Sequence, residues 1–296
     1  MNQHQSQPVR HYIPLVLSIL FIGTSGPLGR LIHISPVPII FFRSLIAFIL
    51  LFFIIWFSKK SFRITVKKKR NFVFLSGVLL AAHWIAYFIS LQLSTVALAM
   101  LSMFVYPVIT VVLEPFYLKK QFRFIQIPVA LIAIAGIYIM MPAFDINNDN
   151  TLGILIGLLS AFFYAGRNLL LKKYATTEDG LVVILHQLLV VVILTTPFLF
   201  FQPVSITSLK TEWYYLIFLG VVTTAMGHTF FVKSLNHFSV STVSILSNFT
   251  PVVGILLGIF FLNENPSGNI LLGGSLILLT ALLEVWLSRR KPNNLF

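Results

Sequence analysis

Three charged side chains stand inside stretches that are otherwise apolar: Arg43, Glu114 and Arg167. In hydrocarbon each costs about 3 kcal/mol even on lenient scales, so each implies a partner or a task. Arg43 lies six residues into the apolar run 37–57, about 9 Å deep at 1.5 Å per residue. Facing protein, it could attract an anionic group such as a carboxylate. Its alternatives are snorkelling to the headgroups or a hydrogen bond to a helix end. Glu114 and Arg167 fall at similar depth in the runs 95–116 and 152–172. As a pair they would lower each other's insertion cost. Glu114 could instead be a proton or cation site, and Arg167 could reach the interface beside Lys172 and Lys173.

Histidine adds chemistry that titrates near neutral pH. His83 sits mid-run in 72–91, with Trp84 next to it and Tyr87 one turn on, on the same face of a helix. His83 is either a cavity-lining proton relay or a histidine bonded to a neighbouring helix. Trp84 could stack a flat substrate or pack against lipid. His228 and His186 lie in later runs, and no His or carboxylate spacing indicates a metal. Two prolines, Pro107 and Pro251, fall near the middle of the runs 95–116 and 240–262. A proline inside a helix removes a backbone hydrogen bond, and in lipid the freed carbonyl needs a new partner. Ser102, Tyr106, Thr110, Ser247, Asn248 and Thr250 flank these breaks and could supply partners around a polar cavity; simple kinking is the alternative reading.

The elements that must position these groups follow from composition. Of 296 residues 57% are hydrophobic and only 10% charged, with mean hydropathy +0.93. A soluble domain carries about 25% charged residues, so the surplus apolar surface must face lipid. Ten apolar runs recur: 12–31, 37–57, 72–91, 95–116, 124–142, 152–172, 181–201, 213–234, 240–262 and 270–288. Each approaches the ~20 residues a helix needs to span a bilayer. No connection leaves room for a soluble domain, and the zero cysteine count excludes disulfides, thiolate zinc sites and palmitoylation.

The net charge of +13 would indicate nucleic acid in a soluble protein. Here it serves as a topology test, because basic residues stay on the cytoplasmic side. With ten spans and both termini inside, 17 of the 21 Lys and Arg residues fall on that side, while Arg30 and Lys210 fall outside. Seven lie between Lys59 and Arg70. Glu284, near Arg289, reads as interfacial. The first run, preceded by Arg10, could pass for a signal peptide; the internal repeat argues for its retention.

That repeat has an offset of 144 residues. Pro107 maps onto Pro251, Ser90-Leu91 onto Ser234-Leu235, Val96 onto Val240, and Arg43 onto Gln187. Five helices per half is odd, so the second half must cross the membrane in the opposite sense, as in secondary transporters whose substrate site lies where the halves meet. The expected fold is all-α and integral to the membrane: ten transmembrane helices as two inverted five-helix repeats, 1–145 and 146–296, around a central cavity.

At these residues the sequence resembles the drug/metabolite transporter superfamily, EamA type. The resemblance rests on Phe41-Phe42-Arg43, on Ser102-Met103-Phe104-Val105-Tyr106-Pro107-Val108 continuing to Glu114-Pro115, on Ser247-Asn248-Phe249-Thr250-Pro251-Val252-Val253 through Asn263-Glu264, and on Gly273-Gly274. It implies export of small metabolites, often amino acids or related compounds, in exchange for protons. The family commonly carries Gly-Glu near the end of the fourth helix of each half. Glu264 matches, whereas the first half has Lys119-Lys120, and the aromatic-Gly signature of the first helix is reduced to Phe21-Ile22-Gly23.

The expected function is therefore secondary active transport of amino acids, related compounds or drugs by alternating access. A channel or facilitator is the alternative. An embedded enzyme is disfavoured, since no acid pair, metal spacing or Ser-His-Asp order is present. The expected cavity residues are Arg43, His83, Trp84, Tyr87, Ser102, Tyr106, Pro107, Gln187, His228, Asn248, Thr250 and Pro251. Glu114, Arg167 and His83 are the candidates for proton or ion coupling. The expected partners are lipid, a small-molecule substrate and protons, with no cofactor, metal or nucleic acid. The expected location is a bacterial cytoplasmic membrane with both termini in the cytoplasm.

Overall fold

A computed structural model describes residues 9–64, 67–118, 124, 126–142, 145–174, 178–238, 243 and 246–289. Among them the fold is all-α, with ten apolar helices. Seven are long and apolar enough to cross a membrane: α1 (Tyr12–Leu31), α2 (Pro36–Phe57), α3 (Lys69–Leu93), α4 (Val96–Tyr117), α6 (Asp149–Tyr174), α7 (Gly180–Phe200) and α8 (Ile206–Ser234). Three described apolar segments are shorter: α5 (Ile127–Met140), α9 (Phe249–Leu262) and α10 (Gly268–Thr280), whose backbone continues helically to Arg289. Each expected run thus carries a helix. Val240, Lys119, Lys120 and the side chains of Arg10 and Glu284 lie outside the described set.

Large apolar side chains point outward along the bundle, among them Phe53, Leu131, Ile134, Phe260 and Phe261, as lipid-facing surface requires. Inside, the helices pack in a reciprocal pattern. Helix α3 runs along α6, and α8 along α1; α2 lies on α8, and α7 on α3; α4 meets α6, and α9 meets α1. Three pairs match their own counterparts: α2 with α7, α4 with α9, and α5 with α10. Shifting each helix number by five reproduces every one of these contacts.

Glycines allow the closest approaches. A Cβ on Gly136 would stand 2.7 Å from the Gly273 carbonyl oxygen, so α5 and α10 touch backbone to backbone. Small residues at such contacts are the usual means of packing helices in lipid, where no hydrophobic drive joins them. Backbone cannot yield as a flexible side chain does. Gly273→Val is therefore expected to destabilise the protein by about 1–3 kcal/mol, read as a lowered midpoint of thermal unfolding in detergent. An unchanged melt would remove this contact from the fold's energetics.

Four helices lose regularity close to one another. Helix α1 breaks at Thr24, between Val9–Gly23 and Ser25–Leu31. Helix α4 stops at Met103 and restarts at Tyr106. Helix α8 widens into a π-helix over Leu219–His228. Helix α9 begins after a turn at Asn248. Irregular backbone at membrane depth persists only where protein or a cavity surrounds it. This corrects the expected role of the prolines. Pro107 and Pro251 sit in the first turn of a new helical segment, where the missing N–H costs nothing. The breaks are at Phe104–Val105 and Asn248, and each proline helps to start the helix on the far side of its break.

Acids fasten the two ends of the bundle. At one end Glu264 accepts the Val96 N–H at 3.0 and 3.1 Å, placing a carboxylate at the start of α4. There too Glu212 accepts the His33 N–H at 3.0 Å. At the other end Lys69 meets Glu178 at 3.0 Å and Lys60 meets Asp179 at 2.6 Å. Partial burial pushes the Asp179 carboxyl up, but Lys60 and the Leu181 N–H outweigh it and hold the group below its ordinary value.

Candidate functional site

The breaks surround a small cavity, with room for little more than one water molecule. Its wall comprises Ile22 and Ser25 of α1, His83, Trp84 and Tyr87 of α3, Met100, Met103 and Phe104 of α4, with Tyr164, His228 and Thr250 from α6, α8 and α9. Five of the twelve expected cavity residues line it: His83, Trp84, Tyr87, His228 and Thr250. The spacing His83–Tyr87 put two of them on one face, as expected.

Arg43 stands directly behind this wall, fully buried. Its Nε donates to Thr224 Oγ1 at 2.9 Å and its Nη1 to Ser25 Oγ at 3.4 Å, while Nη2 has no partner. The guanidinium lies 4.5 Å over the Trp84 ring and 5.3 Å from that of Phe88. Snorkelling is thereby set aside: the side chain points into the protein. The π-helix explains the reach, because Thr224 bonds back five residues to the Leu219 carbonyl at 2.7 Å and turns its oxygen toward α2. Gly220 clears the way, since a Cβ there would press on Ile46 and the Arg43 carbonyl.

On the other flank Tyr164 stacks on His83 with ring centres 4.5 Å apart and meets Tyr106 edge-on at 4.8 Å. His83 Nδ1 contacts Ser160 Oγ at 2.8 Å, so it is both cavity-lining and tied to a neighbouring helix. Trp84 meets His228 edge to face at 5.2 Å, and its stacking partner is Arg43 rather than lipid. Tyr87 Oη and His228 Nδ1 are buried without a hydrogen-bond partner.

The remaining expected residues fall elsewhere. Ser102 bonds back to the Leu98 and Ala99 carbonyls. Tyr106 is buried behind the wall, edge-on against Tyr164. Pro107 and Pro251 are buried in helix starts, and Asn248 is buried in its turn with both amide atoms unpartnered. Gln187 lies beside the cavity, not in it, accepting from Arg167 Nη2 at 2.8 Å and donating to Ser76 Oγ at 2.6 Å.

Arg167 is fully buried and its bonded partners are neutral: Gln187, and Asn168 at 3.2 Å. The expected Glu114–Arg167 pair is therefore corrected. Glu114 instead meets Lys172 at 2.9 Å, at a partly exposed position one turn nearer the basic end. Lys172 has the longer reach to the rim, while Arg167 turns inward over Tyr164, 5.7 Å from its ring. Among the described residues, no His, Asp and Glu cluster could hold a metal ion.

Sequence reasoning passed over Ser25, Thr224, Tyr164 and Ser160. Each is a polar or phenolic residue within an apolar run. The small residues Gly220, Thr223, Thr224 and Gly227 in one run were the available sign of an irregular, close-packed α8.

Known proteins place this architecture. One solved crystal structure matches with a TM-score of 0.71 at 18% identity, covering 96% of this chain and 99% of the other, which establishes the shared fold. Two uncharacterized transporters of Bacillus subtilis, YxxF and YwfM, are each 25% identical. They align over 94% and 91% of this chain and 90% and 91% of their own. A probable biotin transporter of Pseudomonas aeruginosa is 25% identical over 73% of this chain and 78% of its own. The model of the EamA-like transporter family matches twice, over residues 10–141 and 151–286, and the chain belongs to that family.

Proposed function

We propose that the protein is a secondary active exporter of small metabolites, working by alternating access at the cavity between two inverted five-helix repeats, 1–145 and 146–296. The observation that carries this reading is the reciprocal packing of helices numbered five apart around one central cavity. An odd number of spans per unit makes such repeats antiparallel in the membrane. The double family match and the 144-residue offset support the same division. The basic-residue bias supports cytoplasmic termini in a bacterial inner membrane.

In this reading the halves rock about α5 and α10, and the side chains that join α4 to α6 at the basic end act as a latch. Tyr106 and Tyr164 form its inner layer and the Glu114–Lys172 ion pair its outer layer. Glu114 is also the acid placed to exchange a proton as that end opens. A partly exposed ion pair is worth up to about 1 kcal/mol, or roughly fivefold in a two-state equilibrium. Glu114→Gln is expected to favour the state open at the basic end by up to that factor. The cysteine-free chain makes the measurement clean: a cysteine placed at Met103 should react faster with an impermeant maleimide from that side. An unchanged rate would dismiss the latch.

Transport itself is tested in liposomes. The expected result is saturable uptake with counterflow, in which unlabelled substrate on one side drives labelled substrate inward. Rapid, unsaturating conductance would instead identify a channel.

A further inference from the structure

Arg43 and Arg167 are both fully buried, and among the described residues neither has a carboxylate within bonding reach. The acids are committed elsewhere. Glu114, Glu178 and Asp179 meet lysines, and Glu212 and Glu264 accept backbone N–H groups at the opposite end. Asp145 lies in a loop and Asp149 opens α6. The core therefore holds two guanidinium charges that these acids leave uncompensated. Burying a charge this way is costly unless an ion of opposite sign completes it.

The cavity between them has the matching chemistry. Arg43 backs its Trp84 and Ser25 side, and Arg167 backs its Tyr164 side. Three polar atoms around it are buried and unused: Arg43 Nη2, Tyr87 Oη and His228 Nδ1. The first is a donor only and the second can donate. Aromatic rings and the thioethers of Met100 and Met103 make up most of the remaining wall. An ammonium group would find no carboxylate there. The faces of Trp84 and Tyr164, the usual refuge of a cation, are already occupied by the two arginines.

Building on the transporter reading, we infer that the substrate is an organic anion: a carboxylate on a flat apolar body, without a cationic group. The carboxylate is received on the Arg43 side, with Tyr87 and His228 in reach, and the apolar body takes the space against Met100, Met103 and Phe104 as the cavity widens in the transport cycle. Zwitterionic amino acids are disfavoured, which narrows the metabolite class that the family resemblance alone implies.

The test uses the wild-type protein and four probes of one shape and different charge: 3-phenylpropanoate, phenylalanine, 3-phenylpropanamide and 3-phenylpropylamine, with longer and bicyclic homologues of each. The anions are expected to raise the thermal midpoint at millimolar concentration, and to bind at least about tenfold tighter than the amides, the margin of a hydrogen bond to a charged group. Their flux should also be electrogenic, rising when a potassium–valinomycin potential makes the receiving side positive. Equal or stronger effects from the zwitterions or amines, or no anion response across the set, would overturn the assignment. Counterflow separates the two proposals. Transport of a zwitterion or amine keeps the transporter and rejects the anion site; anion binding without counterflow keeps the site and rejects transport.

Discussion

Replacing Arg43 by glutamine is expected to lower transport about 10- to 100-fold, the equivalent of the 1.5–3 kcal/mol carried by a hydrogen bond to a charged group. The same variant is expected to melt at or above the wild-type temperature. Both halves follow from the surroundings of one side chain. Arg43 is buried against neutral partners, Thr224 and Ser25, and against the faces of Trp84 and Phe88. A buried charge lacking its counter-ion destabilises the fold that holds it, so a neutral replacement that ends at the position of Nε relieves that cost. Glutamine can still reach Thr224. What it loses is the free Nη2 and the positive charge, which are the parts left over for a ligand. Arg43→Lys separates charge from shape. It keeps the charge but not the planar fork or the stacking on Trp84, and should fall between the wild type and glutamine. Flux and thermal unfolding measured on the same preparations decide the matter. A glutamine variant that transports normally, or that unfolds many degrees early, would show Arg43 to be a structural strut.

The fold was legible because its determinants are local and one-dimensional. Runs of about 20 apolar residues and the sidedness of Lys and Arg depend on neither partner nor packing, and each run carries a helix. Arg43, His83, Trp84 and Tyr87 were legible as polar or aromatic exceptions in apolar runs. Partners were much less so. Glu114 and Arg167 matched in depth, yet depth says nothing about azimuth, and α6 turns Arg167 inward while Lys172 takes the rim. The prolines were visible, but their effect depends on where the helix starts, which the preceding turn decides. The π-helix of α8 was hidden for a deeper reason. Widening a couple of turns shifts the hydrophobic periodicity too little to read from sequence, while it rotates Thr224 and His228 toward different neighbours. The site is built from such rotations, so its members could be nominated from sequence and their contacts could not.

Arg167 and Gln187 offer the second large effect, and a double-mutant cycle isolates it. Gln187→Leu alone removes the acceptor of the Arg167 Nη2 hydrogen bond and the donor to Ser76. It leaves a buried guanidinium with Nε already unpartnered and a second nitrogen newly so. The expected loss is about 1.5–3 kcal/mol of stability. Arg167→Met alone removes the charge, fills similar volume and leaves the Gln187 carbonyl oxygen without its donor, a cost of about 1–3 kcal/mol partly offset by the relief of a buried charge. In the double variant neither group is stranded, so the two losses should not add. A coupling of about 1 kcal/mol or more is expected, within the range for directly bonded residues. Additive losses would mean that the bond contributes nothing beyond its separate surroundings. The pair also bears on the two proposed repeats. Gln187 stands at the position that corresponds to Arg43, 144 residues on, and each lies seven residues into its helix. In one half that position supplies the charge. In the other it supplies a neutral acceptor for a charge brought by α6. Stability should then respond strongly to breaking the Arg167–Gln187 bond, and transport most strongly to removing either arginine.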